Sequence, residues 1–220
     1  MKKYDTRRLV TLAMLAAIAF AAVAFIRIPA VQFLKYEPKD VVLAITGLLF
    51  GPADALLVTV VVSLVEMVTI SDTGLIGLLM NVISSASFVL VASALYRKNR
   101  TLKGAVIGLI AGVLIMTAVM VLWNYLITPI YQGVPRSVVA GMLVPVFLPF
   151  NLIKGSLNAG LTMLLYKPVV QTLRKAHLVP ESEKKTAGGR SGRVSVYVAL
   201  VSVFVIATSI LLMLAVGGKL

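Results

Sequence analysis

Apolar residues in this chain occur in long runs separated by short polar segments, and these runs predict membrane-spanning helices. A helix needs about 20 apolar residues to cross a hydrocarbon core of about 30 Å, and the runs lack the alternation of a barrel strand. They lie at about 8–28, 39–50, 53–71, 75–96, 103–127, 142–166 and 194–216. The second run is short and ends at a Phe50-Gly51-Pro52 turn, so we expect it to be tilted or incomplete.

The runs predict an all-α integral membrane protein in three parts. We expect a six-helix membrane domain over 1–176, a flexible cytoplasmic linker over 177–193 and an additional transmembrane helix over 194–216. The linker contains PESEKKTAGGRSGR, a polar and glycine-rich stretch. The first run is too long for a signal peptide and more runs follow it, so we interpret it as a retained helix. The last helix is either part of the machinery or an appended anchor.

The net charge of +13 is concentrated beside the apolar runs. Fifteen of the 21 Lys and Arg residues form clusters of four, four and seven at the N-terminus, in 97–103 and in 167–193, whereas the opposite helix ends hold four. The positive-inside rule then predicts a multi-pass protein of the bacterial cell membrane, with these segments and the N-terminus cytoplasmic and Leu220 outside. Anionic lipids are the expected partners of this charge, and nucleic acid is not, because no aromatic residues are interleaved with the basic ones.

Residue types that enzymes use are scarce in this chain. It has no cysteine, and its one histidine, His177, falls in a polar tail. This argues against disulfides, thiolate metal sites, hydrolytic triads and histidine-based zinc centres. No G-x-x-x-x-G-K-[ST] motif is present, so the chain does not use ATP by itself. We therefore predict a non-enzymatic protein without a cofactor.

Polar residues inside the predicted spans converge on one level of the membrane. Such residues are costly in a bilayer and call for a functional or packing reason. They are Glu66, Asn81, Asn124, Asn151, Lys154 and Asn158. At about 1.5 Å per residue, all but Asn158 fall in the outer half, on four helices. This pattern favours a pocket open to the outside; the alternative is that the amides only hold helices together.

Two further features point to a ligand and to a partner. The segment 28–38 is an outer loop rich in apolar residues, which suggests a lid, and Phe33 and Tyr36 either stack on a flat ligand or belong to an interfacial aromatic belt. On the first span, small residues recur every fourth position at Ala13, Ala17 and Ala21. Such a stripe permits close helix approach, either to another protein or within this chain.

Three segments resemble the riboflavin-specific S components of energy-coupling factor (ECF) transporters. They are LKYEPKDV at 34–41, LFGPADALLVTVVVSLVEMVTISDTGLIGLLMNVIS at 49–84 and PFNLIKGSLN at 149–158. The resemblance extends from about residue 6 to about residue 176, and the stretch 66–81 is its most specific part. The helix at 194–216 is additional to the family's six.

The resemblance implies an outward-facing cavity for one vitamin molecule, and it implies partners. These are riboflavin as the transported ligand, a transmembrane scaffold subunit and two cytoplasmic ATPases, with the S component toppling in the membrane to deliver its ligand. The family's ligand contacts map to Asn124, Asn151 and Lys154, although relatives often carry aspartate at position 151. We include Glu66, Asn81, Phe33, Tyr36 and Asp40 among the expected contacts. The family's scaffold contact maps to Ala13, Ala17 and Ala21.

Riboflavin suits such a pocket, because its ring is flat and its edges and ribityl chain offer groups for amides, Glu and Lys. The residues are also compatible with other functions. Within the class, the ligand is another vitamin or flavin, such as thiamine, a roseoflavin-like analogue or FMN. Outside it, the chain is an intramembrane enzyme, which would need paired carboxylates and histidines in its spans, or a channel, which would need a continuous polar path.

Overall fold

A computed structural model describes residues 5–31, 34–179 and 191–216 of the chain. These residues form eight α-helices and two short β-strands, and a π-helical turn at Leu143–Phe147 joins α6 to α7. The helices are α1 (Thr6–Phe25), α2 (Lys39–Phe50), α3 (Pro52–Thr69), α4 (Gly74–Lys98), α5 (Leu102–Gln132), α6 (Arg136–Met142), α7 (Leu148–Lys175) and α8 (Ser191–Val216). The strands β1 (Ile28–Val31) and β2 (Leu34–Tyr36) lie between α1 and α2.

The predicted apolar runs correspond to helices, so the all-α membrane fold is confirmed. Within the described residues, six helical segments are long and apolar enough to cross a membrane: α1, α3, α4, α5, the continuous segment from α6 to α7, and α8. α5 and α7 extend beyond the predicted runs, to Gln132 and Lys175. Hydropathy marks only the part of a helix that lies in hydrocarbon, and the helices continue through polar residues into the interface.

The second predicted run forms the short central helix α2. Its 12 residues rise about 18 Å, which is too little to cross the hydrocarbon core. It is surrounded by α1, α3, α4 and α7, so that residues on nearly all of its faces are buried. It is followed by Gly51, whose φ of 98° is readily adopted only by glycine, and Pro52 then begins α3.

Close contact between α4 and α5 depends on glycines of α5 that repeat every fourth residue. A Cβ built on Gly108 would lie 2.6 Å from the carbonyl oxygen of Ala92, and one on Gly112 would lie 2.6 Å from that of Phe88. Small residues at this spacing let helix backbones approach within a membrane. The pair α4–α5 is therefore fixed by backbone shape as well as by side-chain packing.

We expect Gly108→Ala to destabilise the fold by about 1–3 kcal/mol, since the new methyl group would push the α4 and α5 backbones apart. Gly141→Ala is the matched control, because no atom beyond the local helix backbone lies within 4 Å of the added methyl group there. The unfolding midpoint in a titration with sodium dodecyl sulfate measures both changes. Equal midpoints for the two variants would show that α4 and α5 tolerate a wider separation.

The segment 28–38, expected to be an apolar loop, contains a β-hairpin. β1 and β2 pair antiparallel, with Ile28 opposite Tyr36 and Pro29 opposite Lys35. The strands are only four and three residues long, too short for alternation to reveal them in the sequence. The hairpin lies at the end of the bundle opposite to the basic clusters.

The entry into α7 is shaped by two prolines. Pro145 lies in the π-helical turn, and Pro149 is in the first turn of α7. Neither residue has a backbone N–H, so neither can make the regular helical hydrogen bond, and π-turns of this kind are frequent near functional sites. The turn brings the first residues of α7, including Asn151, beside the hairpin end of the bundle.

Candidate functional site

A cavity of about 160 Å³ opens at the hairpin end of the bundle. Its walls come from the hairpin and from α4, α5 and α7. Polar residues of the wall include Asn81, Ser84, Asn124, Thr128, Asn151 and Lys154, and apolar residues include Ile76, Met80, Trp123, Ile127 and Phe150. Charged residues near the mouth are Arg27, Lys35, Glu37 and Asp72. The cavity therefore combines a broad apolar surface with several convergent hydrogen-bonding groups, as small-molecule sites do.

Two asparagines of the cavity wall use only part of the hydrogen-bonding capacity of their side-chain amides within the protein. Asn124 Nδ2 donates to the Met120 carbonyl at 2.7 Å, and its Oδ1 accepts from Thr128 Oγ1 at 2.9 Å. Asn151 Nδ2 donates to the Phe147 carbonyl at 2.7 Å. These bonds fix both side chains against their own helices. Since an amide has two N–H donors and two acceptor lone pairs, each retains hydrogen-bonding capacity for a ligand.

Lys154 lies between the cavity and a buried carboxylate. Its Nζ is 3.7 Å from Asp40 Oδ2, and Asp40 is fully buried. Asp40 Oδ1 accepts a hydrogen bond of 2.5 Å from Ser85 Oγ, and Oδ2 accepts one of 3.3 Å from Asn158 Nδ2. The carboxylate is thus held by α4 and α7, and it stabilises the Lys154 ammonium at the cavity wall.

The hairpin is connected to the same network through Tyr36. Its hydroxyl donates to Asn158 Oδ1 at 2.9 Å, and its ring packs with Phe150 and Ile153 of α7. Burial, with the charge of Asp40 nearby, raises the pKa of the Tyr36 phenol, so the hydroxyl stays a neutral donor. Strand β2 is therefore attached to α7 through Asn158, which also donates a hydrogen bond to Asp40.

A second buried network lies behind Asn81. Lys39 Nζ donates to Glu66 Oε1 at 2.7 Å and to Oε2 at 2.5 Å, and Asn81 Nδ2 donates to Glu66 Oε2 at 2.9 Å. Lys39 Nζ is also 3.4 Å from Glu37 Oε2, and Arg27 Nε is 3.3 Å from Glu37 Oε1. The cation that pairs with Glu66 is thus Lys39 of α2.

Comparison with known proteins assigns the chain to a family. The profile described as ECF transporter, substrate-specific component, matches residues 7–166, more than two thirds of the chain. The chain belongs to this family. It is therefore a multi-pass membrane S component, the class of subunit that works with an ECF energising module. The profile ends before α8.

Individual relatives are similar over most of this S component. The riboflavin transporter RibU of Staphylococcus aureus (strain TCH60) is 30% identical over 186 residues, which cover 78% of this chain and 94% of the relative. The riboflavin transporter FmnP of Bacillus subtilis (strain 168) is 30% identical over 193 residues, with coverage of 78% and 98%. A solved structure described as the S component of a bacterial ECF transporter is 31% identical, with a TM-score of 0.66 and coverage of 78% and 99%.

The structure brings four of the residues expected to contact the ligand to the cavity wall. These are Asn81, Asn124, Asn151 and Lys154, and their contact with a ligand stays a prediction. Glu66, Asp40 and Tyr36 are buried behind the wall, where they hold Asn81, Lys154 and the hairpin in place. Phe33 lies outside the described residues.

Other residues of the S component's cavity were not singled out from the sequence. Ser84 has a buried hydroxyl without a hydrogen-bond partner in the described part of the chain. It lies one helical turn from Asn81, and this spacing could have predicted that Ser84 lines the cavity. Trp123, the single tryptophan, directly precedes Asn124 and lines the wall. Across the described residues, no three of His, Cys, Asp and Glu lie close enough to hold a metal ion.

The small-residue stripe of α1 lies on the outside of the S component. Ala13 and Ala17 are exposed and Ala21 is half-buried, whereas the inward face consists of Leu12, Leu15, Ala19 and Val23. Internal packing therefore does not account for Ala13 and Ala17. Docking of another subunit on this stripe stays a prediction.

The additional helix α8 packs on a different side of the S component. It runs along α7, where Ile206 would be 3.1 Å from a Cβ on Gly160, and it contacts β1. Met213 packs with Ala30 and Tyr36 of the hairpin. α1 instead packs on α2 and α3, so α8 leaves the exposed Ala13 and Ala17 uncovered. Residues 180–190 of the expected linker and the terminus at Leu220 lie outside the described part.

Proposed function

We propose that this S component binds riboflavin in the hairpin-end cavity and delivers it across the membrane when docked to an ATP-driven energising module. The observation that carries the proposal is the meeting of Asn124, Asn151 and Lys154, from two helices, at one cavity. These three residues correspond to the ligand contacts of the riboflavin-specific S components that the sequence resembles. Relatives that are named riboflavin transporters support the same ligand.

The chemistry of the wall fits a flavin. An isoalloxazine ring can lie against Trp123 and the apolar residues beside it, while the amides of Asn124 and Asn151 satisfy its polar edge. Nanomolar binding requires about 12 kcal/mol. Burial of a flat ring together with several hydrogen bonds can supply that after the cost of ordering the ligand.

The hairpin is suited to act as the lid of this cavity. Pockets that bury a whole small molecule usually have about 300–1,000 Å³, and the cavity encloses about 160 Å³. A flavin therefore requires the walls to move apart. The hairpin is short and lies at the mouth, and its attachment to α7 includes the single Tyr36–Asn158 hydrogen bond, so its displacement breaks few polar contacts.

Titration of riboflavin into the purified protein tests the function. Bound flavin should lose fluorescence, and protein prepared from riboflavin-fed cells should be yellow. Titrations with FMN and thiamine distinguish the competing ligands, since FMN adds a phosphate dianion and thiamine lacks the isoalloxazine ring. Saturable quenching at nanomolar riboflavin supports the proposal, and stronger binding of either competitor or no binding of riboflavin contradicts it.

Transport requires partners, because the chain carries no ATP-binding motif. The proposed partners are a transmembrane scaffold subunit and two cytoplasmic ATPases, with riboflavin as cargo and no cofactor or enzymatic step in the S component itself. The basic end of the bundle is assigned to the cytoplasm by the positive-inside rule. This orientation opens the cavity outward and places the N-terminus inside the cell.

We expect a cysteine introduced at Asn99 to be protected from an impermeant thiol reagent in intact cells and labelled after lysis. Asn99 is exposed at the basic end, in the connection between α4 and α5. The natural chain contains no cysteine, so the signal is specific. A cysteine at Asp72, exposed at the opposite end, is the control and should react in intact cells. The reverse labelling pattern would invert the topology.

We expect Ala17→Leu to abolish riboflavin uptake while riboflavin binding to the isolated subunit stays unchanged. Ala17 is exposed on α1, so a larger side chain would obstruct a docked helix without disturbing the internal packing. Ala118→Leu, which adds the same bulk to an exposed position of α5, is the control and should preserve uptake. Loss of binding together with uptake in the Ala17 variant would show that the stripe serves folding instead.

A further inference from the structure

A second and larger cavity lies at the basic end of the bundle. It encloses about 770 Å³ between the start of α1, the α2–α3 turn, the end of α4 and the turn at 176–179. It is separate from the hairpin-end cavity, and no residue lines both cavities. None of the residues that resemble the family's ligand contacts lines it.

The cationic residues of this cavity come from three separate parts of the chain. Arg7 and Arg8 are on α1, Arg97 is on α4 and Arg100 is in the α4–α5 connection. Asp5 is the one acidic residue among those that line the cavity. In the part of the chain that the structure describes, Arg7, Arg97 and Arg100 make no salt bridge. All three side chains are exposed.

Arg8 has a different role at the edge of the same cavity. It donates to Asp54 Oδ2 from Nε at 2.8 Å, and its guanidinium lies 6.0 Å from the centre of the Phe50 ring. These contacts connect α1 to the first turn of α3. Arg8 thus shapes the wall, and the anion-binding charge falls to the other three arginines.

The first turn of α3 borders the same cavity. Ala53, in that turn, lines it. The Asp54 carboxylate of the same turn is buried and paired with Arg8, so these two charges offset each other. The net positive charge of the cavity wall therefore comes from the other arginines.

The floor of the cavity is apolar. Leu48, Leu49, Phe50 and Val179 line it, so the cavity offers hydrocarbon surface next to the cationic groups. A phosphate group with an attached nonpolar part matches this combination, and basic pockets at the cytoplasmic ends of membrane helices commonly bind lipid headgroups.

We propose that this basic-end cavity binds a phosphate group, held by Arg7, Arg97 and Arg100. Two sources carry this chemistry at the cytoplasmic face: the headgroup of an anionic phospholipid and a free phosphate compound. A phosphate bound there bridges α1 and α4 and stabilises the end of the bundle at which they meet.

Binding is tested on the full-length protein in nanodiscs. Thermal stability is measured in phosphatidylcholine alone, in phosphatidylcholine with phosphatidylglycerol, and in phosphatidylcholine with inorganic phosphate in solution. Native mass spectrometry then counts retained phosphatidylglycerol. The cavity variant is Arg7→Gln/Arg97→Gln/Arg100→Gln. The control variant Lys98→Gln/Lys103→Gln/Lys175→Gln removes the same charge from exposed residues at the same end, outside the cavity.

We expect phosphatidylglycerol to stabilise the natural and control proteins, and its apparent affinity to fall at least about tenfold in the cavity variant. If phosphatidylglycerol alone raises the thermal stability, the bound phosphate belongs to a lipid. If inorganic phosphate also raises it, a free phosphate group is sufficient for binding. Riboflavin titration shows that each variant is folded, and Arg100→Gln alone provides a milder change. Equal losses in the cavity and control variants, or no response of the natural protein to either probe, overturn the proposal.

Discussion

Replacing Lys39 with methionine is expected to lower the free energy of unfolding by about 3–5 kcal/mol. Lys39 and Glu66 are almost completely buried, with 1% and 0% of their side chains exposed. The substitution leaves the Glu66 carboxylate in the bundle interior with only the Asn81 amide to stabilise its charge. Separating one member of a buried ion pair costs more than the pair itself contributes, because the remaining charge has lost both water and partner.

The midpoint of unfolding in sodium dodecyl sulfate, followed by circular dichroism, measures this loss. The double variant Lys39→Met/Glu66→Met should recover most of the stability, since no unpaired charge remains. Lys35→Met is the matched control: the Lys35–Asp72 pair spans 3.8 Å with both side chains well exposed, and such pairs contribute about 0–1 kcal/mol. An unchanged midpoint for Lys39→Met would mean that the unpaired Glu66 carboxylate is stabilised by water or neutralised by a proton.

Replacing Lys154 with alanine is expected to weaken riboflavin binding about tenfold to a hundredfold, or about 1–3 kcal/mol. Lys154 lines the cavity, and its ammonium is oriented by Asp40. Without it, a polar group of the bound flavin stays buried and unpaired. Asn151→Ala and Asn124→Ala should each cost a similar amount, because each removes an amide from the wall.

Quenching of riboflavin fluorescence gives the affinity of each variant. Asn158→Ala should change stability more than affinity, since Asn158 is fully buried and bonds to Tyr36 and Asp40 instead of facing the cavity. Lys103→Ala, exposed at the opposite end, is the neutral control. If the Lys154, Asn151 and Asn124 variants bind riboflavin as tightly as the natural protein, these residues only hold helices together and the site lies elsewhere.

Hydropathy and charge alone were sufficient to predict the membrane helices and the two ends of the bundle. An apolar run of about 20 residues has few alternatives to a helix in a bilayer, because every backbone N–H and C=O must be paired internally. The polar positions on α4, α5 and α7 could also be placed at one level, since the helical rise is constant. Asn81, Asn124, Asn151 and Lys154 do line one cavity.

The same reasoning could not show which polar residues face the cavity. Glu66, Asp40 and Tyr36 occur near the right level, but they lie behind the wall. The direction in which these side chains point depends on the position of α2, which is too short to span the membrane and is enclosed by four other helices. The identity of each buried pair, such as Lys39 with Glu66, followed from that placement.

The amino-acid sequence was enough to predict the all-α membrane architecture, the concentration of positive charge at one end and a shared level for the polar residues. These properties depend on local composition and on the fixed rise of a helix. Only the folded arrangement shows the rotation of each helix, the pairing of β1 with β2 and the ion pairs of α2. Those features arise from contacts between residues far apart in the chain, such as Asp40 with Asn158, and no local pattern encodes them.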